Sequence, residues 1–157
     1  VPGTLEEAAT AISGLISICR DAEQGFRVAA SASKEPELRE LLVRYSDQHG
    51  AFAAKLQEAV KALGYDPEAP AGLGGTIYGG WIQLKALVTS HDQHGILVEA
   101  ERGEDWILSR YRDAAAKNLP VGIRPIVEAQ RAEVEKAHEY LRQRRDATAS
   151  KNQHGAD

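Results

Sequence analysis

The sequence has no methionine and only one cysteine, Cys19, in 157 residues. A lone cysteine excludes an intrachain disulfide framework. The shortage of sulfur argues against a copper or zinc thiolate centre. No apolar run approaches the roughly 20 residues of a membrane span. An excess of positive charge is also missing: 19 Lys and Arg face 23 Asp and Glu, a net charge of −4. That removes the sequence-wide basic footprint of a nucleic-acid binder. Val1-Pro2-Gly3 does not open a basic-then-apolar secretion pattern. The expectation is a soluble, cytoplasmic protein with neither nucleic acid nor membrane as partner. The remaining composition is that of an ordinary globule, 43% hydrophobic and 27% charged. The length suits one domain able to fold on its own core.

Aromatic residues make up only 6% of the chain, and glycine and proline gather at a few places. Between those places apolar residues recur at helical spacing, and no period-2 run appears, which predicts an all-α fold. Thr4-Leu5-Glu6-Glu7 matches a capping box at the start of a first helix. Its stripe runs Ala8, Ile12, Leu15, Cys19, Ala22, Phe26, Ala29. A second helix begins near Pro36, where a missing N–H costs least. Its stripe is Leu38, Leu42, Tyr45, His49, Phe52, Leu56, Ala59, Leu63, with Gly64 as the stop. Residues 65–80 hold two Pro steps and five glycines and read as a connection, followed by a short helix at 81–88. The glycines lack the G-x-x-x-x-G-K spacing of a phosphate loop. Ser90-His91-Asp92-Gln93 is a second capping box. The third long helix carries Leu97, Ala100, Glu104, Ile107, Tyr111 and Ala114 on one side. A break at residues 118–122 leads to a fourth, expected over about 123–145, with Val127, Val134, His138 and Leu141 on one side. The bundle is therefore expected over 4–145, with 146–157 as a polar, frayed tail.

Short links join antiparallel neighbours, so helices one and two form one hairpin and three and four another. The long link is then a crossover carrying the short extra helix, as in ferritin-like four-helix bundles.

Charged residues in the apolar stripes carry the functional signal, because a lone buried charge is strongly unfavourable. They are Glu23 in the first helix, His49 in the second, Glu101 and Glu104 in the third, and Glu135 and His138 in the fourth. Glu104 lies 14 residues before the 118–122 break and Glu135 lies 13 after it; Glu101 lies 17 before and His138 16 after. Antiparallel helices would bring these four to one height. Glu23 and His49 match less well, 9 residues before and 13 after their break, an offset of about 6 Å at the helical rise. Four carboxylates and two imidazoles suit iron or manganese. Dinuclear carboxylate bundles use one Glu from each of two helices and Glu-x-x-His from each of the other two. Glu135 and His138 supply one such motif. The second helix departs, since Ser46 precedes His49 by three.

Several stretches resemble a bacterial family of four-helix-bundle proteins of unknown function within the ferritin-like superfamily. They are Cys19-Arg20-Asp21-Ala22-Glu23-Gln24-Gly25-Phe26-Arg27, Phe52-Ala53-Ala54-Lys55-Leu56-Gln57 and Gly80-Trp81-Ile82-Gln83-Leu84-Lys85. Glu99-Ala100-Glu101-Arg102-Gly103-Glu104-Asp105, the most specific, and Ala137-His138 complete the set. The resemblance spans about residues 15–144 and implies the ferritin-like bundle more strongly than any activity. The Glu-x-x-Glu of the third helix and Glu-x-x-His of the fourth are distantly similar to rubrerythrins. Rubrerythrin-like proteins also carry Glu-x-x-His on the second helix, which this chain lacks.

Two functions follow as expectations. The first is a metal-binding bundle with iron or manganese, one ion or two, on Glu23, His49, Glu101, Glu104, Glu135 and His138. Its chemistry would be reaction with dioxygen or peroxide, or metal handling, with Tyr45 and Tyr111 nearby. The second is a non-catalytic homodimeric helical module whose inner polar layer is neutralised by arginine. Arg131 is the stronger candidate for that role, and Arg27 and Arg102 are the others. His91 and His94 read as exposed cap residues, Cys19 as a small core residue, and Trp81 as packing for the crossover.

Overall fold

A computed structural model describes the backbone of residues 2–66 and 93–155, and the side chains of 5–66 and 93–149. The described residues form four helices and no strand: α1 Pro2–Ala32, α2 Pro36–Ala62, α3 Gln93–Ala115 and α4 Arg124–Gly155. This all-α arrangement is consistent with a four-helix bundle. The connection at 67–92, its expected helix at 81–88, and Ser90, His91 and Asp92 of the second capping box lie outside the described residues.

The breaks fall where the local chemistry stops a helix. α1 starts two residues before Thr4, so that residue lies within the first turn and does not precede it. Arg39 ties the α1–α2 turn by donating from Nε and Nη2 to the Ser33 carbonyl oxygen at 3.1 and 2.7 Å. Pro36 opens α2 at a position that needs no N–H donor. α2 ends with Gly64 at φ 87°, in the left-handed region. There the Gly64 N–H reaches the Lys61 oxygen and the Tyr65 N–H the Val60 oxygen, closing a Schellman turn. Between α3 and α4, Arg124 donates to the carbonyl oxygens of Ala115 and Lys117, at and just past the end of α3.

α4 continues to Gly155, about ten residues beyond the expected end near 145. Nothing between Asp146 and Gln153 is a glycine or proline. Thr148 also docks this segment: its hydroxyl pairs with His94 Nδ1 at 2.8 Å and donates to the Arg145 oxygen. That side-chain anchor to α3 is invisible in the local composition.

α1 packs chiefly on α2, and α3 on α4. Gln93, at the start of α3, donates to the carboxylate of Glu35, beside the start of α2. Arg144, late in α4, lies 3.7 Å from Glu35 and 3.9 Å from Glu37. So α2 and α3 begin at the same end of the bundle, and α4 finishes there. All seven expected stripe residues of α1 are buried, as are the six of α3. Fully burying a Leu, Ile or Phe side chain contributes about 1.5–3 kcal/mol, so Ile12, Leu15, Phe26, Leu42, Leu56, Leu97 and Ile107 carry much of the fold. This framework holds the polar interior at fixed height.

Candidate functional site

His49 of α2 and Glu104 of α3 meet in the bundle interior, both side chains 0% exposed, with Nε2 and Oε1 2.7 Å apart. His49 Nδ1 lies 2.7 Å from the Tyr45 carbonyl oxygen. A carbonyl oxygen can only accept, so Nδ1 carries a hydrogen, and Nε2 is the atom turned to the carboxylate. Phe26 and Phe52 flank the imidazole at centroid distances of 5.2 and 5.8 Å.

Burial pulls the His49 pKa down. The charge of Glu104, contact with its carboxylate, the Tyr45 carbonyl and the charge of Glu23 outweigh that and raise it above its ordinary value. The 2.7 Å separation secures the charge attraction. Among the described residues neither Nε2 nor either Glu104 oxygen has any partner beyond this pair. A neutral imidazole would turn a lone pair on an ionised carboxylate here. The pair therefore needs a cation between or upon its members, and a proton on Nε2 supplies one.

A second buried chain adjoins the pair. Tyr111 donates its hydroxyl hydrogen to Gln130 Oε1 at 2.6 Å, and Cys19 Sγ lies 3.3 Å from the same hydroxyl. With that hydrogen committed, Cys19 is the donor to Tyr111. Gln130 Nε2 donates in turn to the Phe52 carbonyl oxygen at 3.3 Å. Burial raises the Cys19 thiol to about 12, against the opposing hydrogen bond to Tyr111. Burial likewise pushes the Tyr111 hydroxyl well above its usual range. Tyr45 rises to about 12 through burial and then the charge of Glu104. These groups stay protonated, and Cys19 and Tyr111 bond as neutral donors. Cys19 is the core residue the sequence suggested and, as a buried thiol, a poor nucleophile.

The other four expected site residues lie elsewhere. Glu101 and His138 do share a height, as the counting predicted, with Nε2 and Oε1 2.8 Å apart. They sit toward the α3–α4 rim, 14% and 18% exposed, where Arg145 holds the second Glu101 oxygen at 3.0 Å. Asp105 is 3.4 Å from the same His138 nitrogen. Glu135 is 41% exposed and turned to Arg131 at 3.1 Å and Arg112 at 3.2 Å. Its height was right but its direction was not: the next residue after Val134 lies about 100° round the helix. Glu23 is 24% exposed and paired with Arg20 at 3.1 Å, with Arg27 at 3.9 Å. Arg131 meets Glu135 as expected, whereas Arg102 pairs with Glu99 at 3.0 Å and not with Glu101. His94 bonds Thr148, and His91 lies outside the described residues.

So of six expected ligands the structure brings two together at the centre, two at the rim, and leaves two apart on arginine. Among the described residues no group of three or more His, Cys, Asp or Glu side chains is arranged to hold a metal ion. Gln130 and Gly50 were missed by the sequence argument. Gln130 was legible, since it sits in the stripe between Val127 and Val134, as His138 does between Val134 and Leu141. Among the described residues no helix is long and apolar enough to cross a membrane.

No curated protein matches the chain. Residues 7–117, from the second turn of α1 to just past α3, match a family that spans the Cys19, Glu23, His49 and Glu104 region, and the chain belongs to it: the domain of unknown function DUF2383.

Proposed function

We propose that the chain is a non-catalytic helical-bundle module of ferritin-like topology, its polar interior held by charge pairing within the protein. One observation carries this reading. Glu23, Glu101 and Glu135 each have a guanidinium within 3.2 Å, and Glu104 has the His49 imidazole at 2.7 Å. Every carboxylate offered to a dinuclear centre thus has a cationic partner from the chain itself. The shared starting end of α2 and α3 supports the one-crossover topology, because two successive parallel helices need a connection that returns along the bundle. Such a module works through contact with a second copy or another protein, and light scattering of the full chain reads a homodimer directly.

One observation favours a second reading, a single iron or manganese ion in place of the shared proton. His49 Nε2 and the Glu104 carboxylate have no partner beyond each other among the described residues, and Nδ1 is committed to a backbone carbonyl as in metal-bound histidines. His49 and Glu104 would hold the ion. Dioxygen or peroxide chemistry belongs to that reading alone.

Elemental analysis of protein purified without chelator or added metal separates the two. We expect iron, manganese and zinc well below one equivalent, and both His49 ring nitrogens protonated by NMR at neutral pH. Near-stoichiometric metal, lost in Glu104→Gln, would overturn the charge-paired module in favour of the ion.

A further inference from the structure

We infer that Gly50 is a notch in α2 that seats the carboxylate of Glu23, so that Glu23 and Gly50 form a catch setting the α1–α2 register. A β-carbon added at Gly50 would lie 2.2 Å from Glu23 Oε2 and 2.9 Å from its carboxyl carbon. With Glu23 in this position, any β-carbon at Gly50 would have to displace its carboxylate. Gly50 is buried near the middle of the 27-residue α2. There glycine is the least favourable residue except proline. Gly14 of α1 differs, with nothing within 4 Å of the β-carbon it lacks.

Two further contacts hold Glu23 in the seat. Ser46, one turn before Gly50, donates its hydroxyl to the Glu23 carbonyl oxygen at 2.8 Å. Arg20 donates to Glu23 Oε1 at 3.1 Å and, with its other nitrogen, to Gln57 Oε1 at 3.0 Å. Glu23 is thus tied to α2 by its backbone carbonyl at Ser46, by its carboxylate at Gly50 and, through Arg20, at Gln57, over three turns. The seat lies next to His49 in sequence, and the charge of Glu23 acts on the His49 imidazole. Seating one carboxylate therefore sets both the helix register and part of the field at the interior pair. The catch stands whichever cation His49 and Glu104 share.

A double-mutant cycle in the full chain tests it, using Gly50→Ala, Glu23→Ala and both together in urea unfolding. In the Glu23→Ala background, Gly50→Ala should raise the folding equilibrium constant about four- to fivefold, the ordinary gain of alanine over glycine in a helix. With Glu23 present that gain should vanish or reverse, a coupling of about threefold or more. The same gain in both backgrounds overturns the catch. If Gly50→Ala alone does not fold, folding of the double variant supports the catch, and its failure to fold overturns it. The His49 ring nitrogen resonances supply a second readout, in which the Glu23→Ala background separates charge from packing. Gly50→Ala should shift them as Glu23→Gln does, and should add nothing once Glu23 is alanine; unmoved resonances overturn the positioning of charge.

Discussion

Two histidine–glutamate pairs lie one turn apart on α3, built from the same residue types at nearly the same separation. Glu104 meets His49 at 2.7 Å, and Glu101 meets His138 at 2.8 Å. Their surroundings differ. The first pair is fully buried, with Phe26 and Phe52 against the imidazole and no guanidinium among the described residues in ion-pair contact. The second stands at the α3–α4 rim with Arg145 on one oxygen and Asp105 on the nitrogen. Water and arginine can replace a lost partner at the rim. In the interior nothing can, so the energetic weight of the two pairs is set by desolvation and not by distance.

Glu104→Ala breaks the comparison most directly. It leaves His49 buried without its carboxylate and should cost about 3 kcal/mol or more, while Glu101→Ala should cost about 1 kcal/mol or less. Chemical denaturation of both variants checks the ratio, and equal losses would mean that burial does not distinguish the pairs.

Tyr111→Phe sharpens the comparison by testing the neutral network beside the inner pair. It strands Gln130 Oε1 and the Cys19 thiol in the core, for an expected loss of about 1–2 kcal/mol. A loss within error would show that water reaches this layer.

Alkaline pH gives a smaller effect of defined sign. His49 has a folded pKa above its ordinary 6.5, so folded protein holds this proton more tightly than unfolded chain. The stabilisation is fully present below pH 6.5 and drains away as pH rises through the folded value. Unfolding free energy should therefore decline from about pH 6.5 upward, and His49→Gln should remove that decline. Above pH 9.0, the ordinary value of the Cys19 thiol, ionisation of cysteine in the unfolded chain adds a loss of the same sign. A flat profile between pH 6.5 and 9 in the natural chain would show that Glu104 does not hold His49 charged.

Much of the fold was legible before any coordinates. Pro36 and Gly64 bracket α2 within two residues, and Leu97, Ala100, Ile107 and Tyr111 mark the buried side of α3. The site was legible only in part. His49 and Glu104 stood out because an imidazole and a carboxylate interrupted apolar stripes. Glu135 stood out for the same reason, yet it turns to Arg131 and Arg112 because one residue of helical rotation carries it off the stripe. The role of Gly50 could not be read at all, since a mid-helix glycine shows its use only when the carboxylate above it is in place.

The order of polar and apolar residues along the chain determined where helices start and stop and which side of each is buried, because helical periodicity and terminal chemistry are local. Which buried charge meets which partner was decided in three dimensions. A rotation of about 100° per residue and the reach of a guanidinium together choose between an interior ion pair and a solvated one, and neither is written in any single helix.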